Sequence, residues 1–294
     1  MFCFNLSDMI SSTLYIIGNG FDRAHGMATM YCDFKQWLIQ NGRIDVIQEL
    51  QSAFPTKNDN DFLLWSDFEK ALGLYDIDIV TNWNWEDLYL TECSLGGQVF
   101  KTPNFTLNTQ LLDILNDAFT KWIRSIPPAK TKTDYHLEKG AYYLSFNYTD
   151  TLETLYCIPQ RNILHIHGQA SLNEKLIFGH NLEINPSNYW DDNLDMRTNN
   201  ERIQRLTDMN DLRKPYLEII KHNFFFFQKL NHVRDIHIMG HSCAEIDYPY
   251  FQKIKETVEI GAIWHFTPYN DDDIYRIQKL INKLGIRSNQ TTGI

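Results

Sequence analysis

The chain has 294 residues, of which 43% are hydrophobic, 14% aromatic and 22% charged. That is ordinary globular composition, enough for one large or two small domains, and it argues against disordered, collagen-like and coiled-coil chains. Lys and Arg total 27 against 37 Asp and Glu, a net charge of −10, which weighs against a protein that lives on nucleic-acid phosphates. Five scattered cysteines without a C-x-x-C pair (Cys3, Cys32, Cys93, Cys157 and Cys243) speak against a disulfide framework or zinc ribbon and for a reducing, cytoplasmic setting. The first residues carry Asp8 and no basic cluster, so no signal peptide is expected, and no apolar run approaches the roughly 20 residues of a membrane helix.

In chain order, Leu14-Tyr15-Ile16-Ile17 is a short apolar run of the kind a buried parallel strand shows. Residues 18–29, with three glycines, read as a loop. Thr29 is the expected N-cap of a helix whose Met30, Phe34, Trp37 and Leu38 share one face, with Gly42 as terminator. Helical periodicity continues in Ile44–Phe54, Phe62–Leu74 and Leu107–Ile126, around a glycine-rich polar stretch at Thr91–Pro103. Residues 43–135 are therefore expected to be a mostly helical insertion subdomain. Strands are predicted at Ala141–Phe146, Asn162–Ile166 and Leu176–Phe178, then a surface loop over 181–200. A helix is predicted over Leu217–Leu230, with Phe224 to Phe227 wholly or partly in the core. The strand Arg234–Met239 follows, then a helix near 248–260, the strand Ala262–Phe266 and a helix over Asp272–Leu284. Strands alternating with helices imply an α/β fold with a parallel sheet and right-handed crossovers, built from 1–42 and 136–294.

Five segments stand where such a sheet places ligands, just past strand ends. Gly18-Asn19-Gly20-Phe21-Asp22 could bring backbone N–H groups to a phosphate, although Arg23 breaks the G-x-G-x-x-G pattern; a tight turn would use the same glycines. In Ser145-Phe146-Asn147-Tyr148-Thr149-Asp150, Asn147 offers a donor and an acceptor to a ribose or carboxamide, and Asn147 or Thr149 could equally cap a helix. In His165-Ile166-His167-Gly168, His167 is the candidate base and His165 reads as a structural histidine; without a third ligand no metal site is expected. Phe178-Gly179-His180-Asn181 is a polar strand end or a plain turn. Gly240-His241-Ser242-Cys243-Ala244-Glu245-Ile246-Asp247 reads as a nucleotide-contacting loop, with Asp247 capping a helix that has Pro249 in its first turn.

Taken together and in this order, IIGNGFDRAHGM, LSFNYTDTLE, HIHG, IFGHN and IMGHSCAEIDYPYF resemble the bacterial AbiH family, associated with abortive infection by bacteriophage. The same order is similar to a divergent sirtuin-like NAD-binding fold, which implies a Rossmann-like doubly wound parallel sheet. Carried over, the resemblance implies that Gly18 and Gly20 belong to the phosphate loop and Asn147 to the ribose. It makes His167 the catalytic histidine and places Gly240 and Ser242 in the late dinucleotide loop. Asn19, Phe21, Asp22, His180, His241 and Asp247, in the same segments, are expected cofactor-binding residues. The sirtuin zinc ribbon is missing, which turns the expectation from protein deacylation to NAD cleavage. The implied protein is a cytoplasmic phage-defence effector that hydrolyses NAD, its substrate, with catalytic His167 and Asn147 and no metal. A non-catalytic nucleotide sensor and a nucleic-acid-directed toxin are the alternatives. The implied partners are a small-molecule nucleotide and a phage component as trigger, with no membrane and no nucleic acid, and an oligomer is compatible with the sequence.

Overall fold

A computed structural model describes residues 11–53, 68–69, 90–95, 98–103, 109–183 and 185–294. Its centre is a six-stranded sheet of β1 (Thr13–Ile17), β4 (Tyr142–Ser145), β5 (Ile163–His165), β6 (Asp235–Met239), β7 (Ile263–Phe266) and β8 (Thr291–Thr292). The strands lie in the order β5-β4-β1-β6-β7-β8 and every neighbouring pair is parallel. Numbered along the sheet-forming chain this is 3-2-1-4-5-6, with the direction of winding reversing between β1 and β6.

The burial patterns follow from this order. β1 is central and buried along its whole length, so its sequence does not alternate. β6 and β7 alternate half-buried and buried residues. One face of the sheet, carrying Leu14, Ile16, Leu144, Ile236, Ile238, Trp264 and Phe266, packs on α9 (Tyr248–Thr257) and α10 (Asp271–Leu284). The other face, with Tyr15, Ile17 and Tyr143, packs on Phe21 of α1 (Asn19–Ala24) and Leu152 of α5 (Thr151–Thr154). α10 has both of its ends signalled in the sequence: the Asn270 side chain accepts from Asp273 N–H at 2.9 Å, and Gly285 adopts a left-handed conformation at φ +62°.

By internal contacts the chain divides into two units. One holds the sheet: Met1–Asp33, Thr120–Ile177 and Pro215–Ile294. The other comprises Phe34–Phe119 and Phe178–Lys214. In the second unit Phe34, Phe68, Phe119 and Phe178 form a closed ring of contacts, with centroids 4.6 to 6.4 Å apart. The buried Lys214 ammonium meets the Glu69 carboxylate at 2.8 Å. α2 (Tyr31–Gln40), α3 (Ile44–Ala53) and α4 (Thr109–Ser125) bear out the helical periodicity. Of the Phe62–Leu74 helix only Phe68 and Glu69, both helical, are described; the rest, with Trp65, lies outside the described residues.

Several expectations are corrected. Residues 19–24 are helical, not loop. Thr29 does not cap α2; Met30 N–H donates to Asp33 instead, and Thr29 bonds to Asn19. The stretch at 91–103 contains an antiparallel hairpin, β2 (Leu90–Leu95) with β3 (Gln98–Pro103), joined in sequence by Gly96-Gly97, a pair that two-residue connections favour. Leu176–Phe178 forms no strand; Ile177 N–H makes a single bond to the His167 carbonyl. The polar stretch 181–200 runs into α6 (Met196–Asp211), whose few apolar residues hid its period. The helix over 217–230 is two, α7 (Tyr216–His222) and α8 (Phe224–Lys229), separated at Asn223. Phe227 is fully buried and Phe226 partly, whereas Phe224 and Phe225 are exposed.

The turning point between β1 and β6 rests on glycines. A Cβ on Gly240, at φ +65°, would run into the Phe21 nitrogen and the Gly20 carbonyl carbon, and one on Gly20 would lie 2.8 Å from Gly240 Cα. Gly240→Ala is therefore expected to lose at least about 2 kcal/mol of stability, from left-handed strain plus a clash with backbone. Gly261→Ala, where nothing lies within 4 Å, should change stability by less than about 0.5 kcal/mol. Urea unfolding of both variants tests this, and equal midpoints would remove the interlock.

Candidate functional site

Parallel strands bring their C-terminal ends to one edge, so the loops after β1, β4 and β6 meet there. Gly18 N–H donates to Met239 C=O at 3.0 Å and Gly20 N–H to Gly240 C=O at 2.7 Å. Phe21 N–H turns back to Gly18 C=O at 2.9 Å. Three of the N–H groups expected to cradle a phosphate are thus engaged within the protein. Phe21 is a packing residue, 1% exposed and stacked on Tyr135 at 5.4 Å. Asn19 is exposed, and its side chain is bonded to the backbone and hydroxyl of Thr29. Ser242 is also exposed, on the loop after β6.

Below this fork lies a buried polar network. Asp22 is 1% exposed, and its two carboxylate oxygens accept from Thr149 Oγ1 at 2.6 Å and Thr151 Oγ1 at 2.9 Å. Burial pushes this carboxyl above its ordinary range; the two threonines, the Asn147 carboxamide and His25 pull it part of the way back. Asn147 is buried as well. Its N–H donates to Ser145 Oγ at 3.2 Å and its carbonyl faces His165 Nδ1 at 2.9 Å. Neither Asn147 nor Thr149 caps α5, whose N-cap position is Asp150.

His165 is held at both ring nitrogens, by the Asn147 carbonyl and by Glu153 Oε1 at 2.9 Å, and Gln169 Nε2 donates to the same Glu153 oxygen at 3.0 Å. Two acceptors require two donors, so the ring is imidazolium. Burial alone would depress its pKa; the Glu153 hydrogen bond and charge, with the Asn147 carbonyl and Glu174, outweigh burial and raise it.

His167, the candidate base, is 3% exposed. Its ring packs against Phe146 at 5.3 Å, Tyr250 at 5.7 Å and Tyr148 at 6.3 Å. Gly168 follows at φ +87°, where a Cβ would lie 2.6 Å from Lys175 C=O, so the glycine serves a close backbone approach. Phe146 also carries the His241 ring, 4.3 Å away. His241 Nδ1 accepts the Cys243 N–H at 2.9 Å, and Nε2 lies 3.4 Å from the Asp247 carboxylate. Asp247 stands at the N-cap position of α9 without a side-chain capping bond, because its carboxylate faces His241. His180 belongs to the second unit, buried, with its backbone bonded to Leu212 and Lys214.

The structure therefore joins Gly18 to Met239 and Gly20 to Gly240 directly, Asp22 to Thr149 and Thr151, Asn147 to His165, and His167 to His241 through Phe146. Thr149, Thr151, Glu153 and Gln169 complete the network. The sequence offered a signal for Thr149, in the segment already singled out, and none for Glu153, whose partner is twelve residues away. A cavity of 570 Å³ opens elsewhere, between β5, the 168–177 turn and α7; His165 and Gly168 line it, whereas Asn147 and His167 are not among its lining residues.

The His165–Glu153 pair has a pH signature. Because the folded-state pKa of His165 is raised, its stabilisation is complete below about pH 6.5 and is lost as pH rises through the raised value. Glu153→Gln should cost about 1.5–3 kcal/mol near pH 6 and much less near pH 9. Denaturant midpoints across that range measure it, and a variant profile parallel to the wild type would exclude the ion pair.

A family model described as "Bacteriophage abortive infection AbiH" matches residues 14–267, from the second residue of β1 through β7. No curated protein and no solved structure gives a significant match. Among the described residues no helix is long and apolar enough to cross a membrane. Matched over most of its length, the chain belongs to the AbiH family of bacteriophage abortive-infection proteins.

Proposed function

We propose that this abortive-infection protein acts by hydrolysing NAD to nicotinamide and ADP-ribose. The observation that carries the reading is that Asp22, Asn147 and His167 stand on the segments that follow β1, β4 and β5 at the C-terminal edge of a parallel sheet, beside the β1/β6 turning point. That is where sheets of this order bind dinucleotides. The sirtuin-like order of the motifs supports the same reading.

In the proposed reaction the bond between ribose C1′ and the nicotinamide nitrogen breaks, and nicotinamide leaves with the bonding pair. It is cationic before cleavage and neutral after it, so no acid is needed. A water oxygen bonds to C1′, and its proton passes to His167. Asn147 holds the ribose and the water. With Gly18, Gly20 and Phe21 N–H engaged and the Asn19 side chain spent on Thr29, the phosphates fall to the exposed Ser242 and the backbone beside it.

One observation favours the sensor reading instead: at 3% exposure and with three aromatic neighbours, His167 must be uncovered before it can take a proton from water. A nucleotide sensor needs no such opening.

Incubating the purified protein with NAD and assaying nicotinamide and ADP-ribose, with and without extract of phage-infected cells, separates the two. Cleavage should appear, and His167→Gln should lower it about 10²–10⁴-fold per folded molecule. His167→Gln is preferred to the alanine variant because loss of a ring packed this closely would also cost stability. Binding of NAD without cleavage under either condition would leave the sensor reading; full cleavage by His167→Gln would remove the histidine from the chemistry.

A further inference from the structure

A row of rings crosses the sheet on the face opposite α9 and α10. Tyr143 of β4, Tyr15 of β1, His237 of β6 and His265 of β7 stand in register on neighbouring strands. Their centroids are 5.0, 5.0 and 4.4 Å apart and their planes are inclined by 11°, 21° and 10°. Thr292 of β8 ends the row: its hydroxyl lies 2.8 Å from His265 Nδ1, and the Asp235 carboxylate lies 3.2 Å from Nε2. The two phenols do not titrate near neutral pH, because burial pushes both above their ordinary range. The two imidazoles differ in what faces them. A carboxylate only accepts, so His265 Nε2 carries a hydrogen; the Thr292 hydroxyl donates to Nδ1 or accepts from it, so this ring is satisfied neutral or charged. The His237 ring lies between Tyr15 and His265, and no described residue hydrogen-bonds it.

We propose that the His237–His265 stack is an acid-sensitive latch: it holds β7 and β8 to the sheet while at most one of its rings is charged, and loosens that edge when both are. A first proton finds a counter-charge and two hydrogen-bond partners at His265. A second must go to His237, 4.4 Å from an imidazolium already in place and without a partner of its own. Opening the edge separates the rings and hydrates both, so protons favour the open form. The side chains of His265 and Asp235 are 30% and 43% exposed, so solvent protons reach the pair without prior unfolding. Burial, and then the charge of His265, set the His237 pKa below its ordinary value, with Asp235 and Glu138 opposing them. The stability lent by a neutral His237 is therefore whole above about pH 6.5 and is lost as pH falls below it. β8 adds only two residues to the ladder, so the edge has little else to hold it. Tyr15 and Tyr143 show that rings which never charge fill such a row equally well, so the imidazoles are set where charging has an effect. β6 runs on from His237 to Met239, whose carbonyl takes the Gly18 N–H, so the acid-sensitive half of the sheet begins at the turning point.

Amide hydrogen exchange of the whole chain at about pH 7.5 and about pH 5, corrected for the intrinsic rate, reads the latch. Protection of β7 and β8 should fall about tenfold or more on acidification, and that of β1 should fall less. His237→Phe, which keeps a flat ring in the row and never charges, should abolish the fall. No fall in the wild type, a fall shared equally by β1, or an unchanged fall in folded His237→Phe would overturn the proposal. Histidine ring ¹⁵N spectra of the wild type decide the matter whether or not the variant folds. His237 should bind its proton at least about tenfold more weakly than His265. Two rings that protonate together as independent sites, with β7 and β8 still protected, would make the row a structural ladder and overturn the latch.

Discussion

The contact between the loops after β1 and β6 is the constraint on which the candidate site depends. Two backbone hydrogen bonds, Gly18 to Met239 and Gly20 to Gly240, carry the pairing of the central strands past their ends. They close only because three residues at the fork lack a Cβ. The consequence reaches outward along the chain. With the β1 loop pinned, α1 starts at once and delivers Phe21 into the core and Asp22 into the polar layer. With the β6 loop pinned, His241 is set against Phe146 and Asp247 is drawn off its cap. The glycines thus build the fork instead of offering its N–H groups to a ligand.

Behind the fork the protein sustains an unusual amount of buried ionisable chemistry. Asp22 with two threonines, His165 with Glu153, and His241 with Asp247 all lie within one layer at the strand ends. Each has partners, which is the condition under which such groups are tolerable in an interior, yet pairs of this kind seldom add stability over well-packed apolar side chains. Their value lies in direction. The His165 ring holds the Asn147 carbonyl and the Ser145 hydroxyl holds its N–H, so the backbone at that strand end has one arrangement.

The sheet was legible in the sequence because continuous apolar runs and helical periods are strong signals over four or more residues. β1, β4, β5, β6 and β7 all fall within or at the edges of the runs read from residues 14–17, 141–146, 162–166, 234–239 and 262–266. The failures share a cause: local sequence competed with contacts it does not encode. Gly18 to Asp22 reads as a loop because glycine is poor in helices, yet tertiary bonds at the fork start a helix there. Leu176 to Phe178 has the composition of a strand, but the turn after His167 needs only one bond from Ile177. α6 is so polar that its period has little to register on. At the site, residue types could be picked out from their places past strand ends. Which nitrogen or oxygen each would spend internally could not, since Asp22 finds Thr149 and Thr151 more than a hundred residues away.

The interlocked glycines also limit how such a protein can change. A side chain at Gly20 strikes Gly240 backbone, and one at Gly18 comes within 2.5 Å of His241 Cα, so neither loop can be enlarged while the other keeps its shape. The segments around residues 18–22 and 240–247, far apart in the gene, behave as one heritable unit. Recombination between divergent members of the family would tend to separate two halves fitted to each other. A chimera intended to exchange specificity should therefore carry both loops from the same parent.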